Sequence, residues 1–504
     1  MRNQYFRAFV RDNVLVLIGQ VLVFAKPLLL TPLLIKKVSV EVLGGYVLLL
    51  SIVGFVVGTA SLGVGFLFKR YAPAESDPIK RGNLFYPQFM FQLISVGLCA
   101  LVVLLFGDIL QNLFFGSLPS FSPALLAVYC LASVFYSQVA TYFRYTGRMR
   151  WFVGATVIYP YGSIAAILSM YVSGVTLHVD RLLVADIVSM LLVAGVGFVG
   201  IWREIGLIPK FPKIDNLKKD ISLGFPGILS YWTDFFLTAI PRYLIAFFIS
   251  LTAVGSYTAA LQIGLLVSVA IRMLGVAFPP ILARAVDSGH SKDAGIMVNY
   301  AVKGLFTLSI PFVAMSMFFS GPMLEFYANK EVSSIAHNII PLAAISVVFY
   351  GLSSILSQVL TVNLRTKDIL AANLKASFIA AISTGIGLYF WPSLLVPGMG
   401  IVVGYVLVFA GLKARLPPEW ELSMDYPYLL KSGVIAGISC GTGRILLGVL
   451  FYIGGDIGIS LSIALSFSCI LHFLVMVRAQ VITTRESVFA TECFKSGIAK
   501  LAYY

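Results

Sequence analysis

Apolar residues gather into about fourteen stretches of roughly 17–25 residues, separated by short polar connections rich in Lys and Arg. An α-helix rises 1.5 Å per residue, so a stretch of that length crosses the ~30 Å hydrocarbon layer of a bilayer. The pattern predicts spans near 14–35, 44–67, 84–106, 123–143, 151–173, 182–202, 223–250, 256–282, 299–319, 339–362, 371–391, 397–413, 429–452 and 458–478. The expected fold class is all-α and polytopic, with about 14 transmembrane helices.

Charge then orients the chain. Arg2, Arg7 and Arg11 precede the first span, and cations recur in every even-numbered loop: Lys69 and Arg70, Arg144 and Arg148, Lys218 and Lys219, Arg284, Arg365, Lys413. The odd loops hold only Lys36, Lys37, Arg181 and Lys330. Cationic loops stay on the cytoplasmic side, which places both termini there. The formal net charge of +14 is thus a matter of topology and does not call for a nucleic-acid partner. Five scattered cysteines show neither metal-ligand spacing nor a disulfide framework.

The chain repeats itself. Val38-Ser39-Val40-Glu41-Val42-Leu43-Gly44-Gly45-Tyr46 recurs as Ile249-Ser250-Leu251-Thr252-Ala253-Val254-Gly255-Ser256-Tyr257. Leu62-Gly63-Val64-Gly65-Phe66 recurs as Leu274-Gly275-Val276-Ala277-Phe278, and Ser137-Gln138-Val139-Ala140-Thr141 as Ser357-Gln358-Val359-Leu360-Thr361. Six spans per repeat is an even number, so the two lobes run parallel and are expected to face a central cavity. The expected divisions are an N-terminal six-helix lobe at 1–210, a C-terminal six-helix lobe at 211–415, two extra C-terminal helices within 416–478 and a cytoplasmic tail at 479–504.

Charges inside spans are the candidate chemistry, because each costs ~2.5–3.5 kcal/mol unless it faces water or a partner. Lys26, Arg242 and Arg272 lie in spans one, seven and eight and form the expected cationic substrate site; Arg444 in span thirteen is secondary. Asp234 in span seven and Asp186 in span six are the acids available to balance them. Asp234 reads equally as a counter-ion, an ion-coupling group or a packed residue, and each cation has snorkelling or structural pairing as its alternative. A cation-lined cavity suits an anion, phosphate above all. Pro27, Pro32, Pro226, Pro241, Pro279 and Pro280 are expected to interrupt spans one, seven and eight. The pairs and triplets Gly54/Gly58, Gly400/Gly404 and Gly433/Gly437/Gly441 are expected to let helices approach closely.

An enzyme is disfavoured. There is no Gly-rich phosphate loop ending in Gly-Lys-Ser/Thr, no metal-spaced cluster of His, Asp or Glu, and no large outer loop to hold a catalytic centre. Neither a cofactor nor a metal is expected.

Several segments are similar to the polysaccharide-biosynthesis, or O-antigen (Wzx-type), flippase family. They are the first loop and second span through Leu62-Gly63-Val64-Gly65-Phe66, the basic turn at Lys69-Arg70, and Arg144-Tyr145-Thr146-Gly147-Arg148. Ser222-Leu223-Gly224-Phe225-Pro226, the Val254-Gly255-Ser256-Tyr257 turn and Pro279-Pro280 complete the set. That family belongs to the multidrug/oligosaccharidyl-lipid/polysaccharide exporter superfamily. The resemblance implies two six-helix lobes around a hydrophilic cavity in a bacterial inner membrane. The cargo it implies is a polyprenyl-pyrophosphate-linked oligosaccharide, turned to the outer leaflet by alternating access and passed to polysaccharide polymerase machinery. Energy would come from an ion or the membrane potential. Members commonly carry an Asp-Arg pair where this chain has Pro241-Arg242, so the cation is kept without its acid. A lipid II flippase and a cation-coupled multidrug antiporter are the alternatives within the superfamily; a membrane-bound glycan enzyme is the alternative outside it.

Overall fold

The computed structural model describes residues 2–114, 121–206, 214–268, 271, 282, 291–417, 420 and 425–479. Among these residues the chain is built of α-helices, seventeen in all, with one short 3₁₀ turn at Ala72–Ala74. In chain order they are α1 (Arg2–Lys37), α2 (Val40–Ala60), α3 (Phe66–Tyr71), α4 (Pro78–Phe114), α5 (Pro123–Tyr145), α6 (Met149–Val172) and α7 (Val179–Ile205). Next come α8 (Ile214–Thr238), α9 (Ile240–Phe248) and α10 (Leu251–Gly264). The remainder are α11 (Ser291–Tyr327), α12 (Lys330–Ala336), α13 (Ile339–Val362), α14 (Thr366–Phe390), α15 (Leu395–Lys413), α16 (Tyr426–Tyr452) and α17 (Ile457–Arg478).

Twelve of these helices are long and apolar enough to cross a membrane. The two spans missing from the expected fourteen are the seventh and eighth. The seventh is split: α8 ends at Thr238 and α9 begins at Ile240, with Pro241 in its first turn. Proline has no N–H to return to the carbonyl of Leu237, so the helical ladder breaks there, and Arg242 N instead bonds Ala239 O at 2.9 Å. The eighth span is described continuously only to residue 268. Pro27 and Pro32, by contrast, lie inside an unbroken α1.

The chain divides into two compact units. One comprises 8–258 and 373–397; the other comprises 1–7, 259–372 and 398–504. In the first, α5 packs on α4, α6 and α7, around a buried aromatic cluster of Phe68, Phe85, Tyr86, Phe89, Tyr142 and Phe143. In the second, α11 packs on α13 and α16, and α16 on α17. Within each unit, one acid gathers cations from the basic loops. Glu204 Oε1 takes Arg81 Nη1 at 2.5 Å and Arg148 Nη2 at 2.9 Å, while Asp368 takes Arg365 Nε at 2.6 Å with Arg415 Nε at 3.8 Å. Two of the segments that carry the family resemblance also meet: a Cβ on Gly63 would lie 2.3 Å from the carbonyl carbon of Gly224. Buried Asp220 accepts from the backbone N–H groups of Gly65 and Leu67, both at 2.9 Å, and so caps the start of α3.

The repeat shows itself as a reciprocal contact inside the first unit. A Cβ on Gly44 would lie 2.1 Å from the carbonyl oxygen of Leu251, and a Cβ on Gly255 would lie 2.1 Å from that of Val40. Val40 and Leu251, like Gly44 and Gly255, are equivalent positions of the two copies. The contact is therefore self-complementary, as across a local two-fold axis. Only glycine fits, because backbone oxygen cannot swing aside as a side chain can. Gly44→Ala and Gly255→Ala should each destabilise the protein by ~1–3 kcal/mol through overpacking, read as a lowered thermal midpoint. Gly437→Ala should be nearly silent, since nothing lies within 4 Å of its added Cβ; equal losses in all three would contradict the crossing. Gly433 is open in the same way, so the expected packing of that glycine stripe is absent there, whereas Gly54 and Gly58 do admit Tyr231.

Candidate functional site

Lys26 projects from the C-terminal third of α1, and its ammonium lies 2.9 Å from Asp186 Oδ1 on α7. Asp186 is fully buried, whereas the Lys26 side chain keeps 14% of its exposure. The carboxylate has further donors. Tyr46 OH from α2 and Tyr129 OH from α5 donate to Oδ2, the latter at 3.2 Å, and Ser163 Oγ from α6 donates to Oδ1. The Tyr159 ring stands 4.9 Å from the ammonium, and its hydroxyl lies 3.4 Å from Tyr129 OH. Five helices thus converge on one carboxylate. The carboxylate, held by a cation and three hydroxyls, and the ammonium, held by the carboxylate and the Tyr159 π face, are compensated for burial, which an isolated charge is not. The pairing joins residues 160 apart in sequence. The hydroxyls were missed in the sequence, although tyrosines and a serine inside apolar stretches are the signal that could have marked them.

Arg242 sits differently. It lies in the first turn of α9, placed by the break at Pro241. Its guanidinium is within electrostatic reach of Tyr243 and Tyr257. Its Nε is buried without a hydrogen-bond partner among the described residues, as are Ser256 Oγ, Tyr257 OH and Thr258 Oγ1 on α10. No carboxylate among the described residues lies within ion-pair distance of it. Tyr243 OH is fixed by donation to Leu48 O at 3.1 Å. The guanidinium thus keeps a buried N–H donor unused, with the orphaned Tyr257 hydroxyl in its neighbourhood.

Asp234 is exposed on α8, and the Tyr231 phenol interacts with it electrostatically. Arg272 lies outside the described residues. Arg444 belongs to the other unit, where it lines a cavity of about 360 Å³ with Glu325 of α11 and Ser333 of α12. Three or more His, Cys, Asp or Glu side chains never come together as a metal site among the described residues.

The sequence profile described as "Polysaccharide biosynthesis protein" matches residues 9–286, more than half of the chain, and the profile MatE matches residues 226–386. No curated protein matches the chain significantly. Among solved structures, the fold is shared with one titled "Lipid II flippase MurJ, inward closed conformation". The TM-score is 0.65 at 13% identity, covering 93% of this chain and 99% of that one. It is shared also with an inward-facing multidrug resistance MATE family transporter of the MOP superfamily. There the TM-score is 0.66 at 17% identity, covering 80% of this chain and 96% of that one. A Vibrio cholerae MATE transporter, VcmN, in a mutant form matches at TM-score 0.55 and 15% identity, covering 82% of this chain and 98% of that one. These matches are transporters and flippases; none is an enzyme.

Proposed function

Because the chain belongs to the polysaccharide biosynthesis protein family, we propose that it moves a polyprenyl-pyrophosphate-linked oligosaccharide from the cytoplasmic to the outer leaflet of a bacterial inner membrane. The cargo would be a repeat unit of O-antigen, capsule or exopolysaccharide. The observation that carries this reading is Arg242, a cation in the family-matched region that has, among the described residues, an unsatisfied buried Nε and no acid within ion-pair distance. Pyrophosphate is a ligand that supplies what this group lacks: anionic oxygens, spaced for bidentate contact.

The cationic set then divides its work. Arg242 contacts the pyrophosphate, with Arg272 the second proposed contact. Lys26, engaged with Asp186, is the proposed third cation and becomes available to cargo only when that pair opens. No step requires covalent chemistry. An anion moved outward travels with an inside-negative potential, gaining ~2.3 kcal/mol per charge per 100 mV, and alternating access suffices to carry it. Both termini would be cytoplasmic, and polymerase machinery would take the cargo on the far side. The likeness to the lipid II flippase over nearly the whole chain favours one second reading, in which the cargo is lipid II.

The test is to delete the gene, extract the lipids and identify polyprenyl-pyrophosphate glycans by mass spectrometry. Accumulation of one complete lipid-linked oligosaccharide, with its surface polymer lost, is expected. Accumulation of lipid II would select the second reading. An unchanged lipid-linked pool with full surface polymer, in a strain with no redundant flippase, would overturn both.

A further inference from the structure

Helix α8 is less apolar than the twelve helices that qualify as membrane spans, and its departures from apolarity are ordered. Gly227, Ser230, Asp234 and Thr238 recur at helical spacing and are all exposed, so they form one polar stripe. A carboxylate on a membrane-embedded helix faces water rather than lipid. An aromatic ledge flanks this stripe within the same unit. Tyr231 beds on Gly54 and Gly58 of α2, its Cε1 only 2.4 Å from where a Cβ on Gly58 would be. Phe235 packs on Phe55 with ring centroids 4.4 Å apart, and Trp232 lies 6.1 Å from the same ring. The indole is held by Nε1 donating to Thr59 Oγ1 at 3.0 Å. Tyr243 continues the row 6.1 Å from Phe235, and the next residue back along α9 is Arg242. All of these rings are half-buried. They are therefore fixed in place by neighbours on one side and open on the other.

Such a surface has a chemical match. A pyranose presents an apolar C–H face that stacks on aromatic rings and a rim of hydroxyls that donate to a carboxylate. Resting on the flippase reading above, we propose that the α8 ledge is the saccharide subsite of the cargo site. Tyr231 and Phe235 take the face of the sugar nearest the pyrophosphate, Asp234 accepts from its hydroxyls, and Arg242 holds the adjoining phosphate. The order of groups along the ledge, carboxylate and rings first and guanidinium last, is that of a glycosyl pyrophosphate.

Two probes separate the subsite from the phosphate contact: farnesyl pyrophosphate, which has no sugar, and the lipid-linked oligosaccharide purified from the deletion strain. Binding of each is measured to the full-length protein in lipid nanodiscs, for wild type, Asp234→Asn and Phe235→Leu. Asp234→Asn keeps side-chain shape, so it reports even if Phe235→Leu folds poorly. Each variant should weaken binding of the glycan lipid about tenfold and leave farnesyl pyrophosphate binding at the wild-type level. Equal losses for both probes, or no loss for the glycan lipid, would overturn the subsite while leaving the flippase reading standing. A deletion strain that accumulates no lipid-linked glycan removes the flippase reading itself, and the subsite with it.

Discussion

Asp186→Ala should be among the most damaging single substitutions in the protein, costing ~3–5 kcal/mol of stability by leaving a part-buried ammonium without its carboxylate. The loss exceeds one ion pair, because Tyr46, Tyr129 and Ser163 all donate to the same carboxylate, and each hydroxyl stripped of its acceptor keeps its desolvation cost. The reciprocal substitution should be milder. In Lys26→Met the Asp186 carboxylate loses its cation but keeps the hydroxyls of Tyr46, Tyr129 and Ser163 as donors, so no group of the cage is left bare. Lys26→Met combined with Asp186→Asn removes both charges and keeps an acceptor for the hydroxyls, so it should recover most of what Asp186→Ala loses. Thermal unfolding of the purified protein reads all three against wild type. A double variant no more stable than Asp186→Ala would show that the pair is not what holds these five helices together.

Arg242→Ala is expected to do the opposite: little harm to folding and a large loss of transport. Its guanidinium makes no ion pair among the described residues, so removing it relieves an unsatisfied buried Nε rather than breaking a bond. In transport it would forfeit charge-assisted hydrogen bonds to the pyrophosphate, worth ~1.5–3 kcal/mol, or roughly 10- to 150-fold. Arg242→Lys keeps the charge and loses the planar fork, so transport between the two is the expected result. Unfolding of Arg242→Ala with wild-type transport by the surviving fraction would make Arg242 structural.

Much of this was legible in the sequence because bilayer thickness and loop charge are written one-dimensionally. Twelve spans, the internal repeat and the break at Pro241 needed only periodicity, self-similarity and the missing proline N–H. The same logic overreached at Pro27 and Pro32, where α1 continues because neighbouring groups can satisfy a freed carbonyl in a packed membrane helix. The partner of Lys26 was visible only as an acid in another span. Nothing along the chain says that α1 and α7 meet, and the tyrosines that complete the cage come from three further helices. The crossing of Gly44 and Gly255 was hidden for a related reason. The repeat supplied equivalent glycines, but contact between equivalent positions is a property of packing. Arg242 was singled out in the sequence as a charge in an apolar stretch; its orphaned Nε came only from the three-dimensional surroundings.

The central claim is that this chain carries a glycan lipid across a bilayer, and vesicles test it most directly. Purified protein is reconstituted with the fluorescently tagged lipid-linked oligosaccharide from the deletion strain, and an impermeant quencher reads how much cargo has reached the outer leaflet over time. Exchange far faster with wild-type protein than in protein-free vesicles, and lost in Arg242→Ala, is the result predicted. Exchange with folded wild-type protein no faster than in protein-free vesicles, under an imposed membrane potential, would contradict it.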